Sequence, residues 1–417
     1  MSKQILKSIF LFTVISFVER GINYLITLAL TIYLPPEELG KLAYILTIQA
    51  YIYPLIICYT NGSILLHYSK EKDELNYFYN SMAINFSAFI IVALVTLIVG
   101  LIIKLSFLSI LMSLLVISLL EAIRLNYLAY NQAILNIKKY AFVAIFFVIL
   151  NLSITFIFLS VFEARYEYRV HAILLSSLLV LGLILWYLRK KLSFSFNRVF
   201  IKNALAYGLP LLPHAFGLLF IESLNRYFLD AYGNKHELGL YSFAFTLAAP
   251  LGILNTAFIT AWSPHLYRLF KDDTAHSRNK ILQVHFLYIL FILLAGTCIS
   301  FFSKTILQFF SVSYFSSWKY LTVIPFYFCI QAVYVIFSAT LFYFQKNKYF
   351  IYLSVINVIV SFVVNFLLFS NYGISATAYC SIFSMAVFTF LVVVLSQRVY
   401  PLPWAGAFTM FSKKSDR

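Results

Sequence analysis

The sequence predicts an all-α integral membrane protein with about twelve transmembrane helices in two six-helix halves. Three observations predict it. Apolar stretches of roughly twenty residues, the length a spanning helix needs, recur along the chain. The 417 residues are 62% hydrophobic and only 11% charged, against about 25% charged in a soluble domain. The cations fall mostly in short loops between the apolar stretches.

The stretches run over 8–34, 42–60, 79–103, 107–129, 140–161, 170–188, 207–229, 239–262, 283–302, 320–343, 349–369 and 374–396. The first follows Lys3 and Lys7, as a signal peptide would. Glu19 and Arg20 interrupt it, however, and no small-residue cleavage site follows, so it reads as an uncleaved helix. The second opens after Glu38-Leu39-Gly40 and the fifth at Lys139-Tyr140. The connection 189–206 is basic and interleaves Phe194, Phe196, Val199, Phe200 and Leu205, a composition suited to a helix on the membrane surface. Pro210 and Pro213 shape the entry to the seventh stretch, where Pro213 could add a kink. The eighth follows Glu237-Leu238-Gly239 and the eleventh opens at Lys348-Tyr349.

These openings recur at matching places. The acidic-Leu-Gly turn returns after 199 residues, and the Lys-Tyr pair marks the fifth and eleventh stretches. The chain therefore divides into a first half 1–188, a connecting segment 189–206, a second half 207–396 and a tail 397–417. Each half has an even number of spans, so both have the same orientation and their symmetry axis runs along the membrane normal. Of 31 lysines and arginines, 21 lie in the loops on the side of both termini and seven in the opposite loops. The positive-inside rule then puts both termini in the cytoplasm. The formal charge of +16 is thus topology and attraction to anionic lipid, not a nucleic-acid footprint.

No soluble class fits. The chain lacks a GxxxxGK[ST] loop, HExxH and GxSxG, and its histidines and cysteines show no metal-ligand spacing. No catalytic residue, metal or cofactor is expected. The remaining chemistry is charge inside apolar spans, where it is costly and faces a cavity or a partner. Glu19 and Arg20 lie in the first span. Glu121 and Arg124 stand three apart in the fourth, on one helical face. Glu222, Asn225, Arg226 and Asp230 lie in the seventh. The acidic members are candidates for ion coupling or for pairing with the arginines. Arg226, Arg20 and Arg124, with Asn225, are candidates to line a cationic cavity, because guanidinium forks suit phosphate and carboxylate.

At the seventh span the residues resemble a known family. Tyr207-Gly208-Leu209-Pro210-Leu211-Leu212-Pro213, then Asn225-Arg226-Tyr227-Phe228-Leu229, then Glu237-Leu238-Gly239-Leu240-Tyr241-Ser242 are similar to the polysaccharide-transporter (O-antigen flippase) branch of the multidrug/oligosaccharidyl-lipid/polysaccharide flippase superfamily. Leu34 to Gly40, Ala261-Trp262-Ser263-Pro264, Asn365 to Leu368 and Tyr372-Gly373-Ile374 agree in order and spacing. Asn225 departs from it, since the family often has Asp there. The resemblance implies a MATE-like parallel pseudo-repeat and a substrate of undecaprenyl-diphosphate-linked oligosaccharide, moved from cytoplasmic to periplasmic leaflet by alternating access. It implies lipid partners, with polysaccharide polymerase machinery as a further candidate. Two other classes stay open. A membrane polysaccharide polymerase or glycosyltransferase usually needs a long external loop, absent here, and a multidrug exporter of the same fold would lack the motifs at the seventh span.

Overall fold

The computed structural model describes residues 3–68, 74–189, 195–231, 235–344, 346, 348–372 and 376–404. Every regular element among them is helical. Among the described residues, ten helices are long and apolar enough to cross a membrane. The other two expected spans fall on the helix Lys3–Tyr33, where the described side chains give the apolar stretch Gly21–Tyr33, and on the helix Leu212–Ala231.

By its internal contacts the chain forms two compact units, Met1–Leu219 and Phe220–Arg417. The first unit holds α1 (Lys3–Tyr33), α2 (Pro36–Ile57), α3 (Thr60–Tyr68), α4 (Glu74–Ile102), α5 (Leu108–Ala133), α6 (Ile137–Val161), α7 (Tyr166–Leu188) and α8 (Arg198–Gly208). Pro36 starts α2, where its missing N–H costs nothing, and Glu37 and Glu38 complement the helix dipole. The second span then breaks: Cys58 and Tyr59 take φ of 47° and 53°, and α3 resumes at Thr60. Asn85 of α4 compensates the break by donating to the carbonyls of Ile56 and Ile57, each at 2.9 Å. Asn126 of α5 donates back to Asn85 at 2.6 Å, and Thr60 donates to Asn126 at 3.1 Å. A buried polar knot thus fixes α3, α4 and α5 together.

The connecting segment belongs structurally to this unit. Phe200 and Ala204 of α8 pack with Cys58, Ile64 and Tyr77, while Phe196 and Val199 stay exposed. Asn80 of α4 donates to the Ser195 carbonyl and accepts from the Asn197 N–H, both at 2.9 Å. Asn197 in turn caps α8 through the Phe200 N–H. Gly208 ends α8 against the helix break: a Cβ there would lie 1.9 Å from the Cys58 carbonyl oxygen, so only glycine allows the approach. A 3-10 turn, Leu209–Leu211, follows with Pro210 in its first positions, and α9 (Leu212–Ala231) begins at Leu212. Pro213 thus falls in the first turn of α9, where proline is tolerated, so it helps start the helix instead of kinking it. The seventh span consequently starts later than the expected residue 207.

The second unit holds most of α9, then α10 (Lys235–Asp272), α11 (Ala275–Phe301), α12 (Ser303–Leu307), a 3-10 turn Val312–Ser317, α13 (Trp318–Leu321), α14 (Ile324–Tyr343), α15 (Lys348–Tyr372) and α16 (Thr377–Val399). Its packing order repeats the first. The second span touches the third and fourth in each unit (α2 with α4 and α5; α10 with α11 and α14). The fourth touches the sixth (α5 with α7; α14 with α16), and the fifth touches the sixth (α6 with α7; α15 with α16). The first packs on the fifth, α1 on α6 and α9 on α15, the latter through Phe228 against Phe362 and Phe369. Burial repeats too: α5 and α14 have 61% and 72% of their apolar window buried, α4 and α11 only 11% and 22%. The fourth helix is therefore the core of each unit, and the third leaves most of its surface uncovered by the rest of the protein.

A strap closes the second unit as α8 closes the first. After α16, Tyr400 and Leu402 pack with Leu266, Phe270 and Ile281, and Trp404 stacks on Phe337 at 5.6 Å. Gln397 accepts from the Leu402 N–H at 2.9 Å. Arg278 binds Asp273 through Nε and Nη2, at 3.0 and 2.9 Å, and lies 4.7 Å above the Tyr400 ring. The Arg278 hydrogen bond holds the exposed Asp273 carboxyl below its ordinary pKa. Burial raises the Tyr400 hydroxyl to about 12.

Candidate functional site

Three of the expected charged residues of the first unit meet between α1 and α5, beside a ring of α6. Arg124, on the buried core helix α5, is 5% exposed. Glu121, one turn earlier, accepts from its Nε at 2.8 Å and its Nη2 at 2.6 Å. Glu19 of α1 accepts from Nη1 at 2.7 Å. Phe147 of α6 lies beneath the guanidinium, its centroid 4.2 Å from Cζ. All three guanidinium nitrogens are thus engaged by carboxylates. With all three groups ionised the triad carries one net negative charge, a strong charge-assisted network in an apolar bundle. Arg20 lies on α1, but its side chain is outside the described residues.

The second unit is organised around an amide. Asn225 of α9 is 1% exposed. Its Nδ2 donates to the Thr377 carbonyl at 2.8 Å, to the Tyr241 hydroxyl at 3.2 Å and to the Ser381 hydroxyl. Tyr241 and Ser381 share a further bond of 2.9 Å. This joins α9, α10 and α16. The departure from aspartate has a local reason: an ionised carboxylate at 225 would oppose the Thr377 carbonyl oxygen, where the amide donates. Arg226, next in sequence, is half-buried with Cζ 5.5 Å from the Phe245 ring centroid. Asp230 pairs with Lys235 at the start of α10. The Glu222 side chain lies outside the described residues.

One intramembrane charge escaped the sequence reading. Arg169, assigned to an external loop just before the span at 170, sits inside α7, which begins at Tyr166, and is 8% exposed. Its Nη1 donates to Asn151 Oδ1 at 2.5 Å and Thr155 Oγ1 at 2.8 Å on α6. The available signal was Asn151 and Thr155, four apart on one face of an otherwise apolar span.

The fold is that of a multi-pass helical membrane protein with charged side chains buried among its spans. The chain belongs to the family of polysaccharide biosynthesis proteins, whose model matches residues 5–270, more than half its length. No curated protein matches the chain. Solved structures share its fold over 95% of its length and 96% of theirs. A MOP superfamily transporter from Pyrococcus furiosus, reported with a reversed polarity of its binding pocket suggesting a different function, is 14% identical with a TM-score of 0.68. A multidrug resistance MATE family transporter of the MOP superfamily is 15% identical at 0.64 in its outward-facing conformation. The inward-facing conformation gives 14% and 0.59.

Proposed function

We propose that the chain is a flippase for lipid-linked oligosaccharide, carrying a diphosphate-linked repeat unit of a surface polysaccharide such as O-antigen from the cytoplasmic to the outer leaflet of the bacterial inner membrane, with both termini cytoplasmic. The observation that carries this reading is the pairing of a polysaccharide-biosynthesis family with a transporter fold. In such a pathway the task left to a transporter is movement of the lipid-linked sugar, and no catalytic motif in the chain argues for bond making.

The residues support an anionic headgroup unequally. Arg124 is neutralised by two carboxylates, so it serves first to fix α1 against α5. Arg226 lies beside an aromatic face and has Asn225, not an acid, as its neighbour. Arg226 is a candidate for the diphosphate or an acidic sugar, with Arg20 as companion. Glu19, Glu121, Glu222 and Asp230 remain candidates for coupling to an ion. Lysine at 226 should serve poorly, since it lacks the planar fork.

The test is transport of lipid-linked oligosaccharide in proteoliposomes by the double variant Glu222→Gln with Arg226→Gln. Loss of transport with normal expression is expected. Full activity would mean that Arg226 only pairs with Glu222. The fold likeness to multidrug transporters favours an exporter as second reading; export of cationic drugs without oligosaccharide transport would establish it in place of the first.

A further inference from the structure

The connection between the third and fourth spans is built differently in the two units. In the first, Ile103 to Phe107 turn directly from α4 into α5. In the second, the chain from Phe302 to Val323 forms a knob of α12, the 3-10 turn Val312–Ser317 and α13. The base of the knob is firmly seated. Leu307 and Tyr314 are buried. Phe243 of α10 lies against the rings of Phe310 and Tyr314, with centroids 5.1 and 4.7 Å away. Tyr320 donates to Glu237 of α10 at 2.6 Å. The tip is the reverse: Phe309 is 85% and Val312 89% exposed. A tip on so fixed a base cannot fold back to hide its apolar groups, which calls for a cover from outside the chain.

We propose that this knob anchors the second unit in the membrane surface, with Phe309 and Val312 inserted at the boundary of headgroups and acyl chains and Lys304 and Lys319 at the phosphates of anionic lipids. Three observations select a lipid surface as the occupant. The first is depth. The apolar part of α11, from Ile281 to Phe302, is about 33 Å long, close to the thickness of the hydrocarbon core. The knob therefore begins where the headgroups begin. The second is continuity. α11 leaves Leu287, Leu290, Phe291 and Leu294 exposed, and in a spanning helix such a surface is met by lipid. Phe301 and Phe302, exposed as well, lead from it into the knob. The third is charge. Residues 301–319 contain no Asp or Glu, only Lys304 and Lys319, and anionic headgroups attract such cations. Lys304 Nζ lies 4.3 Å from the Trp318 ring centroid, and tryptophan beside lysine is a composition that favours the interface. The anchor goes beyond the flippase reading and does not depend on it.

The experiment uses the full-length protein in bilayer discs. Cys298 is exposed, while Cys58, Cys329 and Cys380 are buried. In a Cys298→Ser background, Val312→Cys therefore takes a nitroxide label selectively. Oxygen, which dissolves in the bilayer, should broaden the spectrum of that label more than a water-soluble nickel complex does. The ratio should correspond to a depth of about 5–10 Å into the headgroup and acyl boundary. Phe291→Cys supplies the bilayer reference, and Asp272→Cys, at the exposed turn between α10 and α11, the aqueous one. In phosphatidylcholine alone the label at 312 should lie shallower than with phosphatidylglycerol present. Lys304→Gln with Lys319→Gln should erase that difference. All of these positions are exposed, so the variants should fold as the unsubstituted chain does. A tip standing in water would admit the nickel complex as freely as position 272. A tip covered by a second copy or another protein would shield the label from both reagents. Either result, or a depth indifferent to lipid charge while both lysines are present, would overturn the anchor.

Discussion

The two units pack their helices in the same order but handle buried polarity by opposite means. In the first, α1 and α5 are tied by ions: one arginine answers two glutamates. In the second, α9, α10 and α16 are tied by an amide and two hydroxyls without any formal charge. The polar knots deeper in each unit differ as well. Asn85 of the third span serves carbonyls of the broken second span in the first unit. In the second unit Asn255 of the unbroken second span donates to the Phe328 carbonyl of α14 and accepts from Tyr288 at 2.7 Å. Packing order survives in a repeat because helix surfaces and lengths set it. Polar ties can be exchanged, provided most buried donors and acceptors keep a partner.

The largest break in this comparison comes from the ionic tie. Arg124→Gln leaves two carboxylates in the bundle without their cation and should cost about 3–5 kcal/mol, seen as loss of folded protein in detergent. The neutral triple variant Glu19→Gln, Glu121→Gln, Arg124→Gln should recover most of that. A triple variant as unstable as the single one would show that the charges are not the cause. Next is Gly208→Ala. Its Cβ would strike the Cys58 backbone, which cannot swing aside, so overpacking of about 1–3 kcal/mol is expected. A wild-type unfolding midpoint would mean that α8 is not seated on the break. Asn225→Asp tests the neutral tie: loss of the donors to Thr377 and Ser381 should cost a comparable or smaller amount, about 1–3 kcal/mol. If the aspartate proved more stable, the local reason given for asparagine would be wrong. The smallest effect belongs to the strap. Asp273 has a depressed carboxyl pKa, so its contribution is complete above about pH 4 and is lost as pH falls through the lower folded value. Asp273→Asn should flatten only that acid limb of the stability profile, and slightly, because the pair is exposed. A change confined to neutral pH would count against the ion pair.

Hydropathy made the spans legible, because a lipid-crossing helix announces itself in a window of its own residues. The pairing of Glu121 with Arg124 was within reach for the same reason, being a matter of helical spacing. Glu19 joining them was not, since 105 residues separate it from Arg124. The latch on the connecting segment, in which Asn76 accepts from the Ser195 N–H at 3.3 Å beside the bonds of Asn80, was equally hidden. Ser195 lies 115 residues beyond Asn80, and asparagines in an apolar span give no hint of which carbonyl they serve. Arg169 was misplaced because a charge at a span edge looks the same whether the helix starts before or after it. The amide at 225 stood out only against a family pattern, and its reason required the Thr377 carbonyl to be in view.

The seating of Gly208 on the Cys58 carbonyl has a consequence for biogenesis. A chain made and inserted from its N-terminus has produced six spans by Leu188, yet the first unit is still unfinished. Asn76 and Asn80 wait for partners that emerge only with Ser195 and Asn197, and the break after α2 is covered only once Gly208 arrives. Release of the unit from the insertion machinery should therefore track synthesis of residue 208, not of the sixth span. Two fragments expressed separately should reassemble when the cut follows the glycine and fail when it precedes Ser195.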